Sequence, residues 1–145
     1  MNNYNAKNVI NGTFGEVWVA GKYMAQATAL EAKVDFNYED VKMTKKLATS
    51  KKLSGYSGSG SVKLNHVSSY FIELLSDQMK NGKMVVCTII SNLEDPDALG
   101  GERVQLNNVV FDDLTLANWE NGSIGEEDVS FTFEDWKVID KISDK

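Results

Sequence analysis

Apolar and polar positions alternate along much of this chain. From residue 30, Leu30, Ala32, Val34, Phe36 and Tyr38 fall on one side, and Glu31, Lys33, Asp35, Asn37 and Glu39 fall on the other. That is the period of a long strand with one dry and one wet face. Near the C-terminus, Val129, Phe131 and Phe133 alternate with Asp128, Ser130, Thr132 and Glu134 in the same way. Shorter strands are expected at residues 16–19, 23–27, 56–65, 84–93, 103–111 and 136–139, with Ala20-Gly21 as a tight hairpin turn between the first two. The stretch 84–90 is continuously apolar and reads as buried on both faces.

One segment has helical spacing. Val67, Tyr70, Phe71, Leu74, Leu75 and Met79 recur every three or four residues and form a single apolar stripe. Ser68 or Ser69 is placed to cap its start, and Asn81-Gly82 supplies a left-handed stop. One helix among many strands predicts a mainly β protein, a β-sandwich or barrel-like subunit with one flanking α-helix, and a single domain over residues 1–145. Two stretches read as loops. Residues 94–101 contain the only proline, and residues 42–54 have no convincing period. A loop of about a dozen residues inside a compact domain is usually functional or disordered.

Length and composition agree with a globular chain: 145 residues, 42% hydrophobic and 25% charged. No apolar run approaches the roughly 18 residues that a membrane span needs. The polar start Met1-Asn2-Asn3-Tyr4-Asn5 lacks the pattern of a secretory signal. Charge is more informative. Residues 1–93 hold eleven lysines against seven acids, whereas residues 94–145 hold three lysines and one arginine against fourteen acids. A net charge of −6 makes a general nucleic-acid binder a poor reading, because phosphate contacts need clustered cations. A positive and a negative part could instead complement a second copy, provided the halves of the sequence are also halves in space.

Candidate chemistry is sparse. One cysteine, Cys87, excludes an internal disulfide and a cysteine-based zinc site, and sits in an apolar strand as an inert thiol. The single histidine, His66, stands where a strand gives way to the helix and reads as structural. Gly55, Gly58 and Gly60 have the order G-x-x-G-x-G with no helix directly after, so close backbone approach is a better reading than a phosphate loop. Asp95, Asp97, Asp112, Asp113, Glu126, Glu127 and Asp128 supply oxygen ligands but not the spacing of a calcium loop, and read as a solvated acidic surface. Asn11-Gly12-Thr13 fits the glycosylation triplet but has no secretory signal to give it meaning. Trp18, Trp119 and Trp136 read as core or interface anchors rather than sugar platforms. No nucleophile signature is present. No catalytic residue, metal site or cofactor is expected. A β-sandwich carbohydrate- or protein-binding module, and a small β-barrel hydrolase using paired carboxylates, remain the readings from other classes.

Several stretches resemble the core tail tube proteins of contractile phages and phage-like particles, the group typified by the PBSX defective prophage. They are Asn11-Gly12-Thr13-Phe14-Gly15-Glu16-Val17-Trp18, Glu31-Ala32-Lys33-Val34 followed by Asn37-Tyr38-Glu39, and Gly55-Tyr56-Ser57-Gly58-Ser59-Gly60. Thr88-Ile89-Ile90-Ser91, Asp95-Pro96-Asp97-Ala98 and Glu102-Arg103-Val104 follow in order. Phe111-Asp112-Asp113-Leu114-Thr115-Leu116-Ala117-Asn118-Trp119-Glu120, Gly125-Glu126-Glu127 and Phe131-Thr132-Phe133 complete the set.

The resemblance implies a structural virion protein rather than an enzyme. Its subunits would close into hexameric rings that stack into the inner tube of a contractile tail or of a bacteriocin-like particle. Its fold would be similar to the tube of type VI secretion systems. Implied partners are further copies of itself, the sheath, the baseplate and the tail terminator. DNA would pass through without specific binding, and assembly would take place in the bacterial host cytoplasm.

The wet strand faces are then candidates for the lumen: Glu31, Lys33, Asp35, Asn37, Glu39, Asp128 and Glu134, with five acids to one lysine. The stretch 42–54 is either a solvated loop or an arm that orders on ring stacking through Lys42, Lys45, Lys46, Leu47, Lys51, Lys52 and Leu53. Asp112, Asp113, Glu126, Glu127 and Asp128 are the candidate acidic surface it would reach.

Overall fold

A computed structural model describes residues 3–143. Met1 and Asn2 of the polar start, and Asp144 and Lys145, lie outside the described residues. Two short 3-10 turns, Ala6–Asn8 and Gly12–Phe14, lead into strand β1 (Gly15–Val19) and the brief β2 (Lys22–Tyr23). The long β3 (Ala27–Val41) and β4 (Ser50–Asn65) follow, then helix α1 (Tyr70–Lys80) and strands β5 (Cys87–Leu93), β6 (Glu102–Phe111), β7 (Glu126–Phe133) and β8 (Asp135–Asp140).

The expected β-rich architecture with one helix is what forms. All pairings are antiparallel, in the order β2-β1-β5-β6-β7-β4-β3 with β8 on β6. The strand β6 joins two layers. Its first half lies between β5 and β8, and its last residues, Val110 and Phe111, pair with Thr132 and Phe131 of β7. The crossing is made at Asn108, whose φ of 56° breaks the ladder. Asparagine tolerates that left-handed geometry better than most residues. Between the layers lies one core containing Val17, Val19, Val62, Ile89, Val109, Phe131 and Phe133, closed on one side by Phe71 and Leu75 of α1.

The Ala20-Gly21 turn has φ of 50° and 83° and joins β1 to β2 as expected. Helix α1 starts after Ser69, although the Ser69 side chain makes no capping bond. It stops in a Schellman turn: Gly82 has φ 76°, Gly82 N–H bonds the Met79 carbonyl at 3.0 Å, and Lys83 N–H bonds the Gln78 carbonyl at 2.8 Å. Val67 precedes the helix and is exposed, so the stripe is shorter than its spacing implies. Met84 and Val86 are exposed too, because β5 begins only at Cys87; the run 84–90 is therefore not a doubly buried strand. The strand expected at 23–27 ends at Tyr23: Met24 N–H makes a last bond to the Val17 carbonyl at 2.9 Å, and the chain then turns, with Ala27 N–H bonding the Met24 carbonyl at 3.1 Å.

The largest departure concerns residues 42–54. Strand β4 begins at Ser50, so the connection is only residues 42–49, and Lys51, Lys52 and Leu53 are strand residues rather than loop residues. Their alternation is hidden by a bulge. Asn37 pairs with Gly55 but Tyr38 pairs with Leu53, leaving Ser54 as the extra residue, with its hydroxyl donating to the Asn37 carbonyl at 3.0 Å. One inserted residue inverts the phase of everything before it.

Candidate functional site

Two surfaces stand out, and both belong to the β3–β4 hairpin. At its base β4 is sandwiched between β3 and β7, with Gly58 and Gly60 opposite Phe133 and Phe131. A Cβ on Gly58 would lie 2.4 Å from the Phe133 ring, and one on Gly60 would lie 2.3 Å from the Glu31 carbonyl oxygen. The glycines therefore let the two phenylalanine rings lie against the β4 backbone, which is close approach rather than phosphate binding.

The other face of the same three strands is polar. Glu31, Lys33 and Asp35 stand directly opposite Ser61, Ser59 and Ser57, and Ser59, Ser61 and Lys63 stand opposite Thr132, Ser130 and Asp128. Asn37 continues the row opposite Gly55, Glu39 faces Lys52, and Glu134 follows β7 as an exposed residue. The candidate lumen residues therefore share one exposed sheet face. Register adds what the sequence did not show: Lys52 and Lys63 from β4 join Lys33, and Glu126 of β7 and Asp112 join the five candidate acids. A shallow hollow in this face is lined by Glu31, Lys33, Ser59, Ser61, Ser130 and Asp112. Asp112 is held there by its N–H, which bonds the Ser130 carbonyl at 3.0 Å.

Beyond Val34 and Gly58 the hairpin leaves the sheet, because β7 ends opposite Gly58. The seven residues after Val34, ending at Val41, carry it about 24 Å outward as a two-stranded ribbon. Phe36, Tyr38, Leu53 and Tyr56, the continuation of the dry face, are all about half exposed. Phe36 and Tyr38 lean on one another with ring centroids 6.5 Å apart, and Tyr56 meets Trp136 of β8 edge-on at 5.3 Å. Lys51 reaches the Tyr38 ring at 6.0 Å. The tip is a turn in which Lys46 N–H bonds the Met43 carbonyl at 3.2 Å and Lys46 Nζ donates to Ser50 Oγ at 2.8 Å. Lys42, Lys45 and Leu47 are exposed there.

The acidic candidates do not form one surface. Glu126 and Asp128 are exposed on the polar face of β7, and Asp113 is exposed after β6. Glu127 points to the opposite face, is largely covered, and pairs with His66 Nδ1. His66 N–H also bonds the Gly125 carbonyl at 2.8 Å, so this histidine ties the 112–125 segment to the end of β4. Asp95, read as solvated, is instead buried. Its two carboxylate oxygens accept from Asn11 N–H and Asp97 N–H, each at 2.9 Å, and clamp the N-terminal segment to the 94–101 connection. Among the described residues no group of three or more His, Cys, Asp or Glu side chains is placed to hold a metal ion.

Cys87 lies beside the core, and burial pushes its thiol up to about 11. It stays protonated and unreactive near neutral pH. Burial also raises the Tyr70 hydroxyl, with a smaller contribution from Cys87. That hydroxyl donates to the Val19 carbonyl at 3.0 Å, as a structural tie between helix and sheet. Trp18 is packed against Tyr23 at 5.3 Å with the Arg103 guanidinium 5.4 Å from its ring, whereas Trp119 is exposed.

Among the described residues the surfaces that stand out are thus a glycine-floored sheet with a polar outer face and an overhanging hairpin, the features of a structural β subunit. The fold is shared with the tube-terminating cap of the anti-feeding prophage, at TM-score 0.72 over 94% of this chain and 95% of that one, with 10% identity. It is shared too with a chain of the sheath–tube complex of an extracellular contractile injection system, at TM-score 0.68 over 92% and 95%, with 10% identity. The chain belongs to the phage tail tube protein family, whose model matches residues 2–140. It is 36% identical over 141 residues to the phage-like element PBSX protein XkdM of Bacillus subtilis (strain 168), covering 96% of both chains. It is accordingly a structural component of a phage tail or phage-like particle, and not an enzyme.

Proposed function

We propose that this protein closes into hexameric rings that stack as the inner tube of a contractile tail. The observation that carries the reading is the outer edge of β3. It is a fifteen-residue strand with no neighbouring strand on that side among the described residues, no proline and an overhanging half whose Phe36 and Tyr38 are half exposed. Long unprotected edges are ready templates for another chain, and closure of a ring removes them. Pairing that edge with a different surface of the next copy is a heterologous contact, which forms a ring when the rotation closes. Stacking the rings brings the hairpin ends and their lysines against the neighbouring ring. A baseplate, a sheath around the tube and a terminator at its end complete the assembly, put together in the host cytoplasm. The polar face of β3, β4 and β7 then lines the channel. Its excess of acids keeps phosphates from sticking, whether DNA passes or the particle only perforates an envelope.

Mass photometry and negative-stain electron microscopy at rising concentration test this. Hexamers, rings or tubes are expected; a strict monomer at high concentration in low salt would refute the assembly.

A further inference from the structure

The hairpin ends on a leucine with no company. Leu47 is fully exposed, at 106% of its reference area, in a tip shaped by the Met43–Lys46 turn bond and the Lys46–Ser50 hydrogen bond. Elsewhere on the subunit, α1 and the end of β6 leave a groove of about 180 Å³. Leu75, Met79, Val85 and Leu114 give it an apolar floor, and its only charged lining residues are the exposed Asp112 and Asp113.

We propose that Leu47 of one subunit seats in this groove of a second copy, with Lys45 and Lys46 against Asp112 and Asp113. The inference rests on the ring-and-tube reading above and names the acceptor for the hairpin end. Size fits: an apolar cavity of about 150 Å³ accommodates a benzene, so an isobutyl group is within the capacity of this one. Charge fits as well. The hairpin beyond residue 38 carries Lys42, Lys45, Lys46, Lys51 and Lys52 against Glu39 and Asp40, and the groove carries two acids and no cation. Reach requires a second copy, because the ribbon runs about 24 Å outward from its last β7-supported residue. Donor and acceptor are different surfaces, so the contact repeats from copy to copy instead of closing on a pair. Of the acidic candidates the structure favours Asp112 and Asp113, which line one groove together; the hollow that Glu126 shares with Leu116, Ala117 and Trp119 has as its other acid Glu127, already engaged by His66.

Disulfide trapping reads the contact directly. In a Cys87→Ala background, Leu47→Cys combined with Met79→Cys should give, on mild oxidation, a ladder of covalent multimers that neither single cysteine gives. Leu114→Cys replaces Met79→Cys if the latter fails to fold by circular dichroism. Separately, Leu47→Asp should raise the concentration needed for tubes by roughly tenfold or more, as expected for losing a buried leucine. Lys45→Glu with Lys46→Glu should weaken stacking, and Asp112→Lys with Asp113→Lys should restore it. Parent-like tubes from Leu47→Asp, or tubes with no ladder from either cysteine pair, overturn the groove as acceptor while leaving rings and tubes standing. A parent protein that stays monomeric overturns both.

Discussion

Gly60 is the position where one methyl group has the largest expected consequence. Its Cβ would meet both the Glu31 carbonyl oxygen at 2.3 Å and the Phe131 ring at 2.7 Å, and the carbonyl belongs to a paired strand that cannot yield. Gly60→Ala should therefore cost about 1–3 kcal/mol or more, the range for overpacking a tight interior. Gly55→Ala is the control. It lies on the same strand with nothing within 4 Å of its Cβ, so losing glycine's backbone freedom should leave stability unchanged or raise it by about 0.5–1 kcal/mol. Urea denaturation of the two variants in an unassembled form checks the contrast. Similar losses for both would mean that ring packing on β4 is not the reason for glycine there. Cys87 illustrates a different kind of residue: its raised thiol reports burial beside the core, with no partner that would make it a nucleophile.

At the scale of elements, the β3–β4 hairpin is two structures in one. Its inner half, from Ala27 to Val34 and from Gly58 to Asn65, is part of the sheet and covers the core. Its outer half is a ribbon of two strands, and a lone two-stranded ribbon is marginally stable in water. Amides of residues 35–41 and 50–57 should accordingly exchange hydrogen rapidly in the free subunit, and those of residues 58–64 slowly. On assembly the outer amides should become protected, because the aromatic face and the free edge acquire neighbours. Hydrogen exchange followed by mass spectrometry compares the two states. Equal protection of the outer half in monomer and assembly would place the hairpin outside every subunit contact. Helix α1 is the opposite case. Its left-handed stop and its anchoring residues Phe71 and Leu75 are satisfied within one subunit, and Met79 at the end of its stripe is left half exposed in the groove.

For the whole molecule, the charge split of the sequence does not become two charged halves. Strands of the early and late parts interleave, β1 with β5 and β4 with β7, so positive charge is concentrated at the hairpin end instead. The same interleaving brings Lys52 and Lys63 into the polar face, together with Glu126 and Asp112, so its excess of acids is kept. If that face lines the channel, replacing Glu31, Asp35 and Glu39 together by lysine should leave the subunit folded, since the buried side of the strand is untouched. Its tubes should then retain DNA, with an affinity that falls steeply as salt is raised. Gel-shift titration of assembled tubes at two salt concentrations measures this. Folded triple mutants that form no tubes would assign the face to a subunit interface, not to the lumen.

Period-two alternation at residues 30–38 and 128–134, the Ala20-Gly21 turn and the stripe from Tyr70 to Leu75 are local signals, and each placed its element. Family membership was also legible, because its matching stretches run nearly the whole chain in order. What lay beyond the sequence depended on pairing between distant segments. The bulge at Ser54 inverts the phase of Leu53 and Lys52, so β4 lost its period and its first residues read as loop. Asp95 looks like any surface acid until Asn11, far away in the chain, donates to it. The dry face of β3 is apolar or aromatic from Leu30 to Tyr38, yet Leu30 and Val34 pack on the core and Phe36 and Tyr38 do not, since β7 stops opposite Gly58. Alternation records which residues need covering. Tertiary pairing decides which of them the subunit covers itself and which are left for another chain.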